Sequence, residues 1–208
     1  MVRQGREIAL DASEHFLGSD EEGLLLRIAH DSLVEAVTNA KLPELSPYPL
    51  TESLKEKHGA FVTLRSHGKL RGCVGYISNC EPLALVVRDN AYNAALRDTR
   101  FTPVRPSELS SIVVEISALT TGDSPETPFR RVHSPSEIKI GRDGVYVERP
   151  PLRGGLLLPQ VAAEEGWTAE EFLTMTCRKA GYPSSAWRDA DTRLYRFSAQ
   201  VFSDEDYV

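Results

Sequence analysis

The chain has 208 residues, 41% hydrophobic and 26% charged, with a formal net charge of −6. Such a length fits one large domain or two small ones, and no apolar run approaches the roughly 20 residues a membrane-spanning helix needs. Lys and Arg form no run or helical stripe, so the electrostatic footprint of a nucleic-acid binder is also missing.

The opening stretch MVRQGREIALDASEH alternates charges and lacks the uninterrupted apolar core of a signal peptide, so the expected location is cytoplasmic. SDEE at 19–22 reads as a capping box with Ser19 as cap. Behind it Leu25, Ile28, Ala29, Ser32, Leu33, Ala36, Val37 and Ala40 recur at threes and fours, which predicts an amphipathic helix ending before Pro43. The proline-rich LPELSPYPLTE predicts an extended surface connection.

GAFVTLRSHGKLRGCVGYI predicts two strands around SHGK, with Gly68 supplying the positive φ of a tight turn. In the second strand a period of two sends Leu70, Gly72, Val74 and Tyr76 to one face and Arg71, Cys73, Gly75 and Ile77 to the other. CEPLALVVRDNAYNAALRD predicts a helix from near Pro82 to about Asp98. Its apolar face is Leu83, Val86, Val87, Ala91, Ala94 and Ala95, with Asn90 on the margin, where a buried amide needs partners.

IVVEISAL at 112–119 is a strand interrupted by Glu115, and Gly122 to Pro135 reads as a loop before a short helix capped by SPSE. IKIGRDGVYVE predicts a hairpin turning at Arg142, Asp143 and Gly144. In LLLPQVAAEEGW, Pro159 marks a change from strand to helix. TAEE at 168–171 caps a helix that puts Phe172, Leu173, Thr176, Cys177 and Ala180 on one face before Gly181 ends it. RLYRFSAQVF is the last strand, with Tyr195, Phe197, Ala199 and Val201 on one side. This order is not a regular βαβ alternation. It predicts an α+β fold: a mixed, largely antiparallel sheet flanked by helices, in two subdomains of unequal size. The smaller, about 121–165, is inserted in a larger one formed by the rest.

Three cysteines build no disulfide framework, and the spacing of Cys73, Cys80 and Cys177 matches no common zinc pattern. The five histidines include no pair at i, i+4, so a metal site is unsupported. No phosphate-loop, dinucleotide, nucleophile-elbow or zincin motif occurs, and no cofactor is expected.

The quoted blocks from GAFVTL onward, together with NAYNAALRDTRFTPVRPSEL, VEISALT and CRKAGYP, resemble in order those of the AMME-region protein family. In prokaryotes the family is called AmmeMemoRadiSam system protein A. The resemblance runs from about Gly59 to Phe202; Val74 and Thr99 depart from the family's usual isoleucine and proline. It implies a single domain of that type over the whole chain, with a two-part α+β fold. It also implies association with Memo-like and radical-SAM proteins, and it supplies no reaction, substrate or cofactor.

Candidate chemistry therefore rests on the residues. Arg71 beside Cys73 would favour a thiolate, and Gly72 and Gly75 would let a ligand or another backbone approach. Cys73 and Arg71 are the catalytic candidates, and Gly72, Gly75, Asn90, Asp98, Arg100 and Gln160 the ligand-binding ones. A cleft between the subdomains would gather Arg71, Asp98, Arg100 and Gln160 around Cys73. Plain packing is the competing account: free cysteine is among the most buried residue types, and strand glycines often mark bulges or close helix packing. Cys177 lies on an apolar helical face and Cys80 at a helix start with no base in view. Glu115 is the one acid inside a β-rich run placed to face Arg71 as a base, and a salt bridge stabilising the sheet explains it equally well.

Three functions stay open: a binding or delivery component, a cysteine-dependent enzyme, and an anion-binding regulatory domain using Arg71 and Arg100. The absence of a recognisable general base favours the first.

Overall fold

The computed structural model describes residues 16–152 and 154–206; the charged stretch at the N-terminus lies outside them. The fold is α+β with antiparallel sheet and flanking helices, as expected. Two compact units divide it. The larger comprises 16–119 and 200–206, and the smaller is Thr120–Ala199.

In the larger unit, helix α1 spans Ser19–Asn39 and buries Leu25, Leu26, Ile28, Ala29, Ser32, Leu33 and Ala36. Its start is one residue earlier than SDEE implies: Gly18 is the cap, and its N–H donates to Glu21 Oε2 at 2.9 Å. Ala40 ends it in the left-handed region at φ 53°. The proline-rich connection leads to a single turn, α2 (Glu52–Lys55), which the proline count had concealed.

Strands β1 (Ala60–Ser66) and β2 (Lys69–Tyr76) form the predicted hairpin, turning on His67 and Gly68 at φ 50° and 74°. Two consecutive residues at positive φ define the turn whose twist suits paired strands. Helix α3 (Leu83–Leu96) follows, and β3 (Ile112–Leu119) pairs with β1. Strand order is β2-β1-β3, with α1 and α3 packed on one side. That side supplies Ala60, Val62, Leu64, Val114, Ile116 and Ala118 to the core.

The smaller unit holds β4 (Arg130–Val132), β5 (Asp143–Glu148), β6 (Gly155–Leu157), α4 (Pro159–Glu165) and α5 (Ala169–Lys179). Most of β7 (Arg193–Ser203) belongs to it as well. β7 pairs with β4 and β5, and β5 with β6, all antiparallel. β4 is a correction to the predicted 122–135 loop; three residues are too few for an alternating pattern to register. The hairpin predicted at 142–144 is also corrected. The turn is Lys139 to Asp143, with Gly141 at φ 86°, and Asp143 already begins β5, its buried carboxylate receiving Lys139 N–H, Arg142 and Arg196.

The inserted unit starts where expected but runs to Ala199 rather than about 165. α5 explains the difference: Phe172, Leu173 and Cys177 fill the core against Val145 and Val147, so the helix belongs with β5. From Gln200 onward β7 returns to the larger unit. There Gln200 Oε1 accepts the N–H groups of Phe16 and Leu17, each at 3.1 Å, and its Nε2 donates to Leu17 O. Asp204 accepts from His30 Nε2 at 2.8 Å and from Val114 N–H at 2.8 Å, tying the chain's return to α1 and β3.

Candidate functional site

The stretch singled out from sequence, Leu70 to Ile77, lies in β2 (Lys69–Tyr76) except for Ile77, and a bulge changes which of its residues are neighbours. Leu64 pairs with Gly72 but Arg65 pairs with Leu70, so Arg71 is an extra residue in the ladder. The alternation predicted for β2 is therefore broken, and Leu70, not Arg71, shares the face of Cys73. Arg71 turns to the strand's outer edge. Its Nε and Nη2 donate to Glu108 at 2.8 and 3.2 Å, and Nη1 and Nη2 reach the carbonyls of Thr102 and Pro103. The Arg71 guanidinium, then the Arg105 N–H, hold Glu108 below the usual carboxylate range.

Cys73 is half-buried, and the Thr63 hydroxyl donates to its sulfur at 3.2 Å. Its backbone is clasped by an ion pair. Cys73 N–H donates to Asp98 Oδ2 at 2.8 Å, and Arg100 Nη2 donates both to Cys73 O at 3.0 Å and to Asp98 Oδ2 at 2.7 Å. Arg100, opposed by burial and helped by the Cys73 N–H, brings the Asp98 carboxyl down to about 2. Asp98, Arg100 and Cys73 are thus together, as expected, but the charged pair grips the peptide, not the thiol.

The face of Cys73 away from α3 continues through its register partners Thr63 and Glu115. Glu115 pairs with Arg65 at 3.8 Å, so the predicted approach to Arg71 is corrected: the bulge turns Arg71 away and β1 separates the strands. Thr63 and Glu108 escaped sequence reasoning; Thr63 is legible only once the β1–β2 register is known, and Glu108 lies far along the chain.

The two glycines are packed positions. A Cβ on Gly72 would stand 2.3 Å from Ala94 O of α3, and one on Gly75 2.2 Å from the Phe61 ring. Asn90 is fully buried and donates Nδ2–H to Ala60 O at 3.2 Å, while its Oδ1 has no partner among the described residues. Gln160 belongs to the smaller unit, in the first turn of α4. Cys177 is buried there, and burial pushes its thiol up; Cys80 is exposed. Among the described residues no group of three or more His, Cys, Asp or Glu side chains is placed to hold a metal, and no helix is long and apolar enough to cross a membrane.

Together these features define an α+β protein with an inserted unit and a glycine-rich strand braced by two ion pairs. The sequence model of the AMMECR1 family matches residues 26–202, and the chain belongs to that family. It is 44% identical to a protein of Methanothermobacter thermautotrophicus over 189 residues, 91% of this chain and 97% of that one. A protein of Thermococcus gammatolerans is also 44% identical, over 89% of this chain and 92% of its own. The crystal structure of the uncharacterized protein PH0010 from Pyrococcus horikoshii matches with a TM-score of 0.79 at 39% identity, covering 87% of this chain and 90% of that one.

Proposed function

We propose that the protein is a cytoplasmic binding or delivery component that works with Memo-like and radical-SAM proteins. One observation carries the binding part of this reading. The charged side chains around Cys73 are engaged in bracing β2: Arg71 by Glu108 and two carbonyls, Asp98 and Arg100 by each other and the Cys73 peptide. The groups that would activate a thiol are thereby committed to architecture, and general acid–base catalysis needs a group free to move a proton. An anion at Arg71 or Arg100 would have to displace Glu108 or Asp98, which disfavours the anion-binding alternative. The partner classes come from the family resemblance.

The test is direct. The purified chain is mixed with the Memo-like and radical-SAM proteins of the same genome and examined by size-exclusion chromatography and calorimetry. A complex with either is expected; no complex at micromolar concentration overturns the reading. The Thr63 hydroxyl on Cys73 Sγ favours a second reading, thiol chemistry. Rapid iodoacetamide labelling of Cys73 at pH 6, lost in Thr63→Val, would support it.

A further inference from the structure

β2 is the outermost strand of the β2-β1-β3 order, so one side of its backbone faces no other strand of the larger unit. The Cys73 N–H and C=O point to that side, where Asp98 and Arg100 meet them. On an antiparallel strand, peptide groups two residues apart point the same way. Gly75 N–H and C=O therefore face outward too, and they have no partner among the described residues.

The edge is closed at one position and open at the next. At Cys73 a carboxylate stands where a neighbouring strand's carbonyl would be, and a guanidinium where its N–H would be. Toward Lys69, Arg71 is bonded to the passing carbonyls of Thr102 and Pro103. Strand edges are commonly shielded in this way against unwanted pairing. At Gly75 the shielding stops. Gly75 is half-buried, with the Phe61 ring on one face, but among the described residues no charged side chain is bonded to its peptide as Asp98 and Arg100 are to that of Cys73. The adjacent Tyr76 is 44% exposed, its hydroxyl accepting from Asn93 Nδ2 at 3.4 Å.

We infer that the open edge at Gly75 receives an extended, acidic segment of a partner protein, which pairs its backbone with Gly75 N–H and C=O and lays an apolar side chain on Tyr76. The inference rests on the binding reading and specifies how that surface binds. Main-chain pairing supplies affinity in this mode and side-chain contacts supply specificity. The acidic character follows from charge: Arg100 is paired with Asp98, and Arg97, exposed beside them at the end of α3, adds a positive charge that this pair does not offset. A second copy of this chain fits less well. Pairing two β2 edges about Gly75 would set Ile77 of one copy opposite Cys73 of the other, where Asp98 and Arg100 already stand.

Peptides selected from a random display library on the full-length protein are titrated into the 15N-labelled chain. Expected are peptides in which β-branched residues alternate with Asp or Glu and which shift the Gly75 and Ile77 amide resonances. Tyr76→Ala should weaken them at least about tenfold, as removal of an aromatic anchor does. Val34→Ser, on an exposed part of α1, should leave affinity unchanged. A library that yields no binder, or binders that leave the Gly75 amide unmoved, overturns the inference. A complex with a Memo-like or radical-SAM protein that leaves that amide unmoved also overturns it, while the binding reading stands. Peptides that dock at Gly75 when neither protein binds support the edge and remove only the named partners.

Discussion

Gly72→Ala separates a packing role for the glycine-rich strand from an access role. The added methyl would meet Ala94 O at 2.3 Å, whereas an ordinary carbon–oxygen contact is about 3.3–3.6 Å, so α3 and β2 must part by roughly 1 Å. A gap of that size forfeits about a quarter to a half of each dispersion contact across it. Ala91, Ala94 and Ala95 lie buried on this stretch of α3, and overpacking alone typically costs about 1–3 kcal/mol. The expected loss is about 2–4 kcal/mol. In a chain of this size each kcal/mol moves the melting temperature by about 2–4 °C, so a fall of roughly 5–15 °C should appear in far-UV circular dichroism. Gly23→Ala in α1 is the matched control. Its methyl would meet nothing within 4 Å, and replacing a mid-helix glycine should stabilise by about 0.5–1 kcal/mol. If Gly72→Ala melts with the wild type, Gly72 is not a packing position and the argument fails.

Asp143→Ala would leave Arg142 buried without its carboxylate and should cost about 3–5 kcal/mol. Both tryptophans, Trp167 and Trp187, lie in the smaller unit, so their fluorescence in urea should report the loss; an unchanged midpoint would contradict it. Asp98→Asn should destabilise by about 1–2 kcal/mol at pH 7. Because Arg100 holds the wild-type carboxyl at about 2, that advantage is full above about pH 4 and should shrink as pH falls toward 2; a constant gap would argue against the pair. The hydrogen bond to Asp204 raises His30 above its usual value. Its charge therefore stabilises fully below about pH 6.5 and less as pH rises through the folded-state value, so His30→Gln should be more damaging at pH 6 than at pH 9. An NMR titration midpoint for His30 at or below 6.5 would count against this.

Where periodicity and turn chemistry act over a few residues, the sequence was readable. α1, the His67–Gly68 hairpin, β3 and the Thr168–Glu171 cap of α5 follow from spacing alone. The site was readable in part. Asp98 and Arg100 do meet Cys73, because two residues of one turn can reach a strand packed beside the helix they follow. Arg71 failed for a physical reason: a one-residue bulge leaves no mark on composition, yet it reassigns a side chain from face to edge. Its partner Glu108 depends on how the chain after α3 folds back. For the glycines, packing and access share one sequence signature, and only the distances to Ala94 O and Phe61 separate them.

The return of the chain at Gln200 bears on how the protein is made. When residue 119 leaves the ribosome, α1, α3 and three strands of the larger unit exist, but Phe16 and Leu17 lack the Gln200 amide and Val114 lacks Asp204. Those partners arrive only after the whole inserted unit, Thr120–Ala199, has been synthesised. At about 5–20 residues per second that is a wait of about 4–16 s. The nascent larger unit spends it unfinished, and the inserted unit becomes the first part of the molecule that can close.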